Sequence, residues 1–364
     1  MGAIQTSKGS LRVALISTCS VTTPPTAYGG TELVIAELAR CLRELGHSPT
    51  VFATRDSTCT GARACGFDHP VWPPDRLAEL RHASRAWLEI ARGDFDVVHV
   101  NSPEAVTFSS SVPVPTVATV HHERLSSELA HYLSVVPNVA FAAISQRQAD
   151  LSWELPFRAV IHHGLDVDAY PRGAGRGGYC AFLGRLAPCK GPHLAIDAAR
   201  DAQVPIRLGG GAHDPEYVRR EVMPRLDDDA RWLGELDQKH KVELLSGASA
   251  LLFPVVWEEP FGLVMIESML VGTPVVAFRC GAASEVVEDG ITGFLVDDVE
   301  EMTLRLRDID TLSRDRCRER ARARWSSRRM TEQYVELYRS VLPRWSPPPS
   351  ALSTFQLPTL PRIQ

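Results

Sequence analysis

The sequence predicts an α/β protein of two Rossmann-like domains, each built on a mainly parallel sheet. Three observations carry this. Short apolar runs such as LRVALIS (residues 11–17), DVVHV (96–100), YCAFLG (179–184) and LLFP (251–254) alternate with helix-length amphipathic segments along the chain. That alternation is the pattern of parallel strands joined by helical crossovers. A chain of 364 residues is long enough for two cores of ordinary size. The stretch PRGAGRGG (171–178) breaks the alternation and reads as an interdomain linker.

Composition narrows the function classes. Hydrophobic residues make up 44% and charged residues 23%, the balance of a soluble globular protein. A net charge of -5 gives no footprint for nucleic acid, whose phosphates call for a basic surface. No apolar run approaches the roughly 18 residues of a membrane span, and the N-terminus has no secretory apolar core. A cytoplasmic protein is expected. The eight cysteines are scattered without a framework spacing, so reduced thiols are expected, and Cys59, Cys65 and His69 match no common zinc pattern.

Residues 1–10 are polar and aperiodic, a flexible lead whose match to the loose N-myristoylation pattern reads as chance. The strand at 11–17 is followed by a loop and then a helix over 31–47. Leu33, Ala36, Leu38, Leu42 and Leu45 recur at helical spacing, Thr31 is placed to cap the start, and Gly46 ends it. Gly29 and Gly30 sit where backbone amides can approach a phosphate or a sugar, or where a tight turn needs positive φ. The loop lacks G-x-G-x-x-G spacing, so no nicotinamide cofactor is indicated.

Further strands are expected at 50–54, 96–100, 114–120 and 140–145, with helices at 76–92 and 146–153. The strand at 114–120 ends in His121 and His122. The carboxyl end of a parallel strand is where open α/β sheets place ligand contacts, and an imidazole there can bond a hydroxyl or exchange a proton near neutral pH. After the linker, the strand at 179–184 leads to Arg185 and Lys190, two cations suited to a diphosphate. Strands at 205–211 and 230–234, and a helix at 239–248, continue the alternation.

The densest cluster of chemistry is WEEPFGLVMIES (257–268). Glu259 and Glu267 stand eight positions apart across a strand-to-helix turn. A helix opening near Phe261 or Gly262 leaves amides that favour an anion or a sugar oxygen, and Gly262 allows close approach. At about 1.5 Å per helical residue, the two carboxylates are too far apart to share a proton. They are suited to gripping different parts of one extended ligand. Beyond lie a strand at 273–278, a Gly281-Ala282-Ala283 turn and a strand at 293–296. Residues 305–329 carry ten arginines against four acids. A solvated helix pair is the plain reading; contact with an anionic membrane surface or acceptor is the sharper one. An amphipathic helix at 329–342 precedes a Pro-rich tail from residue 346, read as disordered.

The E-x7-E segment, the Gly29-Gly30 pair and the G-R-x4-K-G run from Gly184 resemble glycosyltransferase family 4, retaining nucleotide-sugar-dependent enzymes with the GT-B fold. The resemblance implies two domains facing across a cleft, the terminal helix crossing back to the first domain, and a UDP- or GDP-sugar donor. Glu259 would contact donor-sugar hydroxyls and Glu267 the ribose. The amides of Phe261, Gly262 and Leu263 would hold sugar and phosphate oxygens, and Arg185 and Lys190 would neutralise the leaving diphosphate. Gly30 would lie near donor phosphate and acceptor, His121 would bond the donor hexose, and the loops at 209–211 and 233–235 would surround the base. No metal is required, and the acceptor is unidentified. Two positions depart from the family pattern: Gln146 follows Ser145 where Ser-Glu is usual, and His163 replaces the asparagine of Asn-Gly-Val-Asp. A nucleotide-sugar epimerase and a non-catalytic sugar-nucleotide-binding protein are the competing classes.

Overall fold

The structure is a computed structural model, and it describes residues 9–122 and 127–342. The polar lead through residue 8 and the Pro-rich tail lie outside the described residues. Seven strands form the first sheet: β1 (Arg12–Ile16), β2 (Ser48–Ala53), β3 (Ala62–Ala64), β4 (Val97–Val100), β5 (Thr116–Thr119), β6 (Val139–Ala143) and β7 (Phe157–Val160). Six form the second: β8 (Cys180–Leu183), β9 (Ile206–Gly209), β10 (Ala230–Trp232), β11 (Leu251–Phe253), β12 (Val275–Phe278) and β13 (Gly293–Val296). Their orders are 3-2-1-4-5-6-7 and 10-9-8-11-12-13, with every pairing parallel. Strands β4, β5, β8 and β11 are buried throughout, because helices cover both faces.

Strand order reverses between β1 and β4 in the first sheet and between β8 and β11 in the second. Loops leaving the carboxyl ends at such switch points diverge to opposite faces and open a crevice, the ordinary ligand site of doubly wound sheets. The loop after β1 leads into Gly30, and those after β4, β8 and β11 carry Asn101, Arg185 and Glu259.

The first helix, Gly30–Glu44, buries Val34, Ile35, Leu38 and Leu42. Its cap is Gly29, and not Thr31 as expected. Gly29 holds φ at +150°, and a Cβ there would come within 2.7 Å of Pro25 Cβ, so only glycine fits and the cap lies two residues earlier than expected. The last described helix, Ser327–Val341, follows the second sheet in sequence but packs on the first. Its Tyr338 hydroxyl bonds His99 Nδ1 at 2.7 Å, His99 Nε2 bonds the Thr119 hydroxyl at 2.7 Å, and Thr119 bonds the Tyr334 hydroxyl at 2.8 Å.

The Arg-rich stretch differs from the expected solvated helix pair. Arg318 donates to the carbonyl of Tyr170, Arg322 to that of Val167, Arg324 to that of Glu285 and Arg329 to those of His162 and His163. Arg314 reaches the carbonyl of Ala248 and the hydroxyl of Thr273. Arg318, Arg322 and Arg329 tie down the connection between the sheets, whose carbonyls have no ladder partner, while Arg314 and Arg324 bind within the second lobe. Among the described residues, no helix is long and apolar enough to cross a membrane.

Candidate active site between the lobes

The loop entering the first helix touches the second lobe at three successive places. Lys241 Nζ donates to the carbonyl of Ala27. The Arg185 guanidinium lies over the Tyr28 ring, 5.7 Å from its centroid. A Cβ on Gly30 would stand 3.2 Å from Leu263 Cδ1, so the starts of helices Gly30–Glu44 and Leu263–Leu270 meet. Both helices open with amides that have no carbonyl partner within the helix, which gives the junction a positive potential.

On the second lobe, β8 leads through Arg185 to the short turn Pro188–Lys190, closed by Gly191 at φ +66°. A Cβ on Gly191 would fall 2.3 Å from the carbonyl oxygen of Pro254, so glycine lets this turn lie against the loop after β11. The approach brings Lys190 Nζ into an ion pair with Glu259 Oε2. Trp257 Nε1 donates to the same oxygen at 2.7 Å, and its ring lies 4.7 Å from Lys190 Nζ. Arg185 Nη1 contacts His213 Nε2 at 3.2 Å.

Gly262 caps helix Leu263–Leu270 at φ +84°, with Phe261 buried before it. Glu267 lies inside that helix and is buried apart from the Lys190–Glu259 pair. Its Oε1 accepts from the Tyr170 hydroxyl at 3.2 Å, and that hydroxyl accepts from Gln238 Nε2 at 3.0 Å. Burial pushes the Glu267 carboxyl above the usual carboxylate range, opposed by the charge of Lys241. The two glutamates thus occupy different surroundings, one ion-paired and one bonded to phenol and facing a lysine.

His121 follows β5 on the first lobe. Its Nε2 lies 3.0 Å from Asn101 Oδ1, while Asn101 Nδ2 donates to the carbonyl of Ile16 at 3.1 Å. The amide nitrogen is engaged there, so its oxygen faces the imidazole and the neutral His121 ring carries its proton on Nε2. His163 stacks on His121 with centroids 5.4 Å apart and planes 20° apart, and meets Phe261 edge-on at 5.0 Å. Burial, then the neighbouring imidazoles of His163, His122 and His99, hold His121 well below the ordinary histidine range. It is neutral at pH 7, a hydroxyl-bonding group rather than a cation.

The structure therefore gathers the expected residues into three linked groups. Lys190 and Glu259 touch; Gly30 meets Leu263; His121 reaches Phe261 through His163. Arg185 joins them through Tyr28, and Glu267 feels the charge of Lys241, whose Nζ bonds Ala27. Sequence reasoning missed Tyr28, Lys241 and Asn101. Asn101 had a readable signal, a polar residue at the carboxyl end of a buried strand; Tyr28 and Lys241 had none. Also missed was the Glu285 carboxylate, which accepts from the amides of Gln146 at 2.8 Å and Arg147 at 2.7 Å and bonds His162 Nε2 at 2.8 Å. Arg147 reaches across in turn to Glu258 at 2.6 Å. Among the described residues, no group of three His, Cys, Asp or Glu side chains is placed to hold a metal ion.

Two parallel-sheet lobes with loops converging from both switch points are the GT-B architecture. Glycosyltransferase Family 4 matches residues 28–169 and Glycosyl transferases group 1 matches residues 175–329, and the chain belongs to the glycosyltransferases of the family 4 type. It is 28% identical to the phosphatidyl-myo-inositol mannosyltransferase of Mycolicibacterium smegmatis, over 87% of this chain and 89% of that protein. It is also 28% identical to the alpha-maltose-1-phosphate synthase of the same organism, over 87% of this chain and 97% of that one. Among solved structures, AviGT4, a glycosyltransferase of avilamycin A biosynthesis, superposes with a TM-score of 0.71 at 26% identity, over 92% of this chain and 100% of that one.

Proposed function

We propose that the protein is a retaining hexosyltransferase that moves a hexose from a nucleoside-diphosphate sugar to an acceptor hydroxyl. The observation that carries this is the junction of Gly30 with Leu263, where two helix starts meet, with Arg185 linked to it through Tyr28 and His121 through His163 and Phe261. Positive potential from amides and two cations suits a diphosphate, and a neutral imidazole suits a sugar hydroxyl. The names of the two relatives, a mannosyltransferase and a maltose-1-phosphate synthase, support hexosyl transfer.

In this reading Arg185 and Lys190 hold the diphosphate and Glu267 the ribose. Glu259 and the amides of Phe261, Gly262 and Leu263 hold the hexose. His121, with Nε2 bonded to Asn101, offers the Nδ1 lone pair to a sugar hydroxyl. The bond from the anomeric carbon to the phosphate oxygen breaks as the acceptor oxygen bonds that carbon on the same face. The acceptor proton passes to the leaving phosphate, and the cations stabilise the charge developing there. Positioning supplies the rest of the acceleration, without a metal. The test is a thermal-shift screen against UDP- and GDP-sugars, followed by single-turnover product analysis. One nucleotide sugar should stabilise the fold and pass its hexose to an added acceptor with retained configuration. An altered free nucleotide sugar, or a bound ligand left unchanged, contradicts the reading.

A further inference from the structure

His163 stands where the family pattern has asparagine, and none of the roles above uses its side chain. Its ring is 3% exposed, and its Nδ1 has no hydrogen-bond partner among the described residues. Its carbonyl is held by Arg329 at 3.1 Å, and its ring lies between the face of His121 and Phe261 of the donor loop. The bond from Asn101 fixes His121 in its plane at one point and leaves rotation about that bond open. A flat ring stacked at 20° removes this freedom, and an asparagine side chain has no such face to offer.

We propose that His163 is a positioning residue: it carries the position of Phe261 across the lobe junction to His121 and sets the plane in which the His121 lone pair meets the donor. This rests on the reading of His121 as the histidine that contacts the donor. The groups facing His121 are His122 beside it, His99 and His163; those facing His163 are His162 and Arg329. The Glu285 carboxylate is bonded to His162. The stack is therefore built to remain neutral, and stacking rather than charge does the positioning.

Carbon and nitrogen NMR relaxation of the full chain labelled on histidine tests this without any substrate, on wild type, His163→Phe and His163→Asn. The expected result is the Nε2–H tautomer of His121 in all three, set by Asn101, with an ordered ring in wild type and His163→Phe and lowered ring C–H order parameters in His163→Asn. In transfer assays, His163→Asn should lower kcat by about tenfold or more with donor KM little changed, and His163→Phe should restore most of the loss. Unchanged His121 ring order in His163→Asn overturns the proposal. A wild-type protein that transfers from no nucleotide sugar overturns the functional reading instead, and the ring-order result still decides the positioning role.

Discussion

Lys190 and Glu259 form an ion pair across the switch point of the second sheet, with only 14% and 11% of their side chains exposed. The two residues were expected to act on different parts of a donor, one on phosphate and one on sugar. Their contact couples those roles, because a partner removed from such a pair leaves the other charge uncompensated, at a cost of about 3–5 kcal/mol when burial is complete.

Glu259→Gln should therefore lower the melting temperature and abolish transfer while leaving Lys190 free to accept a phosphate. UDP or GDP should raise the melting temperature of the variant by more than that of wild type, because the ligand supplies the missing anion. Equal shifts in a paired thermal-shift assay would show that Lys190 does not face the diphosphate.

Stability should fall as the solution is acidified below neutral. Burial pushes both His99 and His163 down to about 3, so the folded protein keeps them neutral while the unfolded chain takes up protons below about pH 6.5. Their contribution is complete above that pH and is lost progressively as pH falls toward 3, at about 1.4 kcal/mol per pH unit for each group. Urea midpoints at pH 7.5 and pH 5 should differ accordingly, and His163→Phe should show the smaller drop. Identical midpoints at the two pH values would contradict the assignment.

Glu285 holds the lobes together through two amides of helix Gln146–Leu151 and through His162. Burial raises its carboxyl, but His162 and those amides more than offset this and bring it below the usual glutamate range. Its contribution is thus present above about pH 4.5 and lost as pH falls through the lower folded value. At pH 7, Glu285→Gln should weaken the lobe contact by about 1.5–3 kcal/mol, the scale of charge-assisted hydrogen bonds. Small-angle scattering should then report a larger radius of gyration. An unchanged radius would mean that other contacts set the lobe spacing.

Much of this architecture was legible because it is local. Apolar runs mark parallel strands buried on both faces, and Arg185, Lys190 and Glu259 sit in motifs whose spacing survives into the structure as neighbouring loops, with Glu267 in the helix that follows. What could not be read depends on packing. Thr31 carries a capping signal, yet Gly29, two residues before it and at a φ closed to other residues, determines where the helix starts. Arg318, Arg322, Arg324 and Arg329 looked solvated because their carbonyl partners, such as Tyr170 148 residues from Arg318, are not their sequence neighbours. Tyr28 and Lys241 became visible only when the lobes met.

Isothermal titration of UDP and GDP into wild type, Arg185→Ala and Lys190→Ala tests the central claim most directly. Wild type should bind one of the two nucleotides, and each substitution should weaken that binding by on the order of tenfold or more, as expected for the loss of a charge-assisted contact to phosphate. Affinity in both variants equal to that of wild type would place the diphosphate away from this junction and contradict the account.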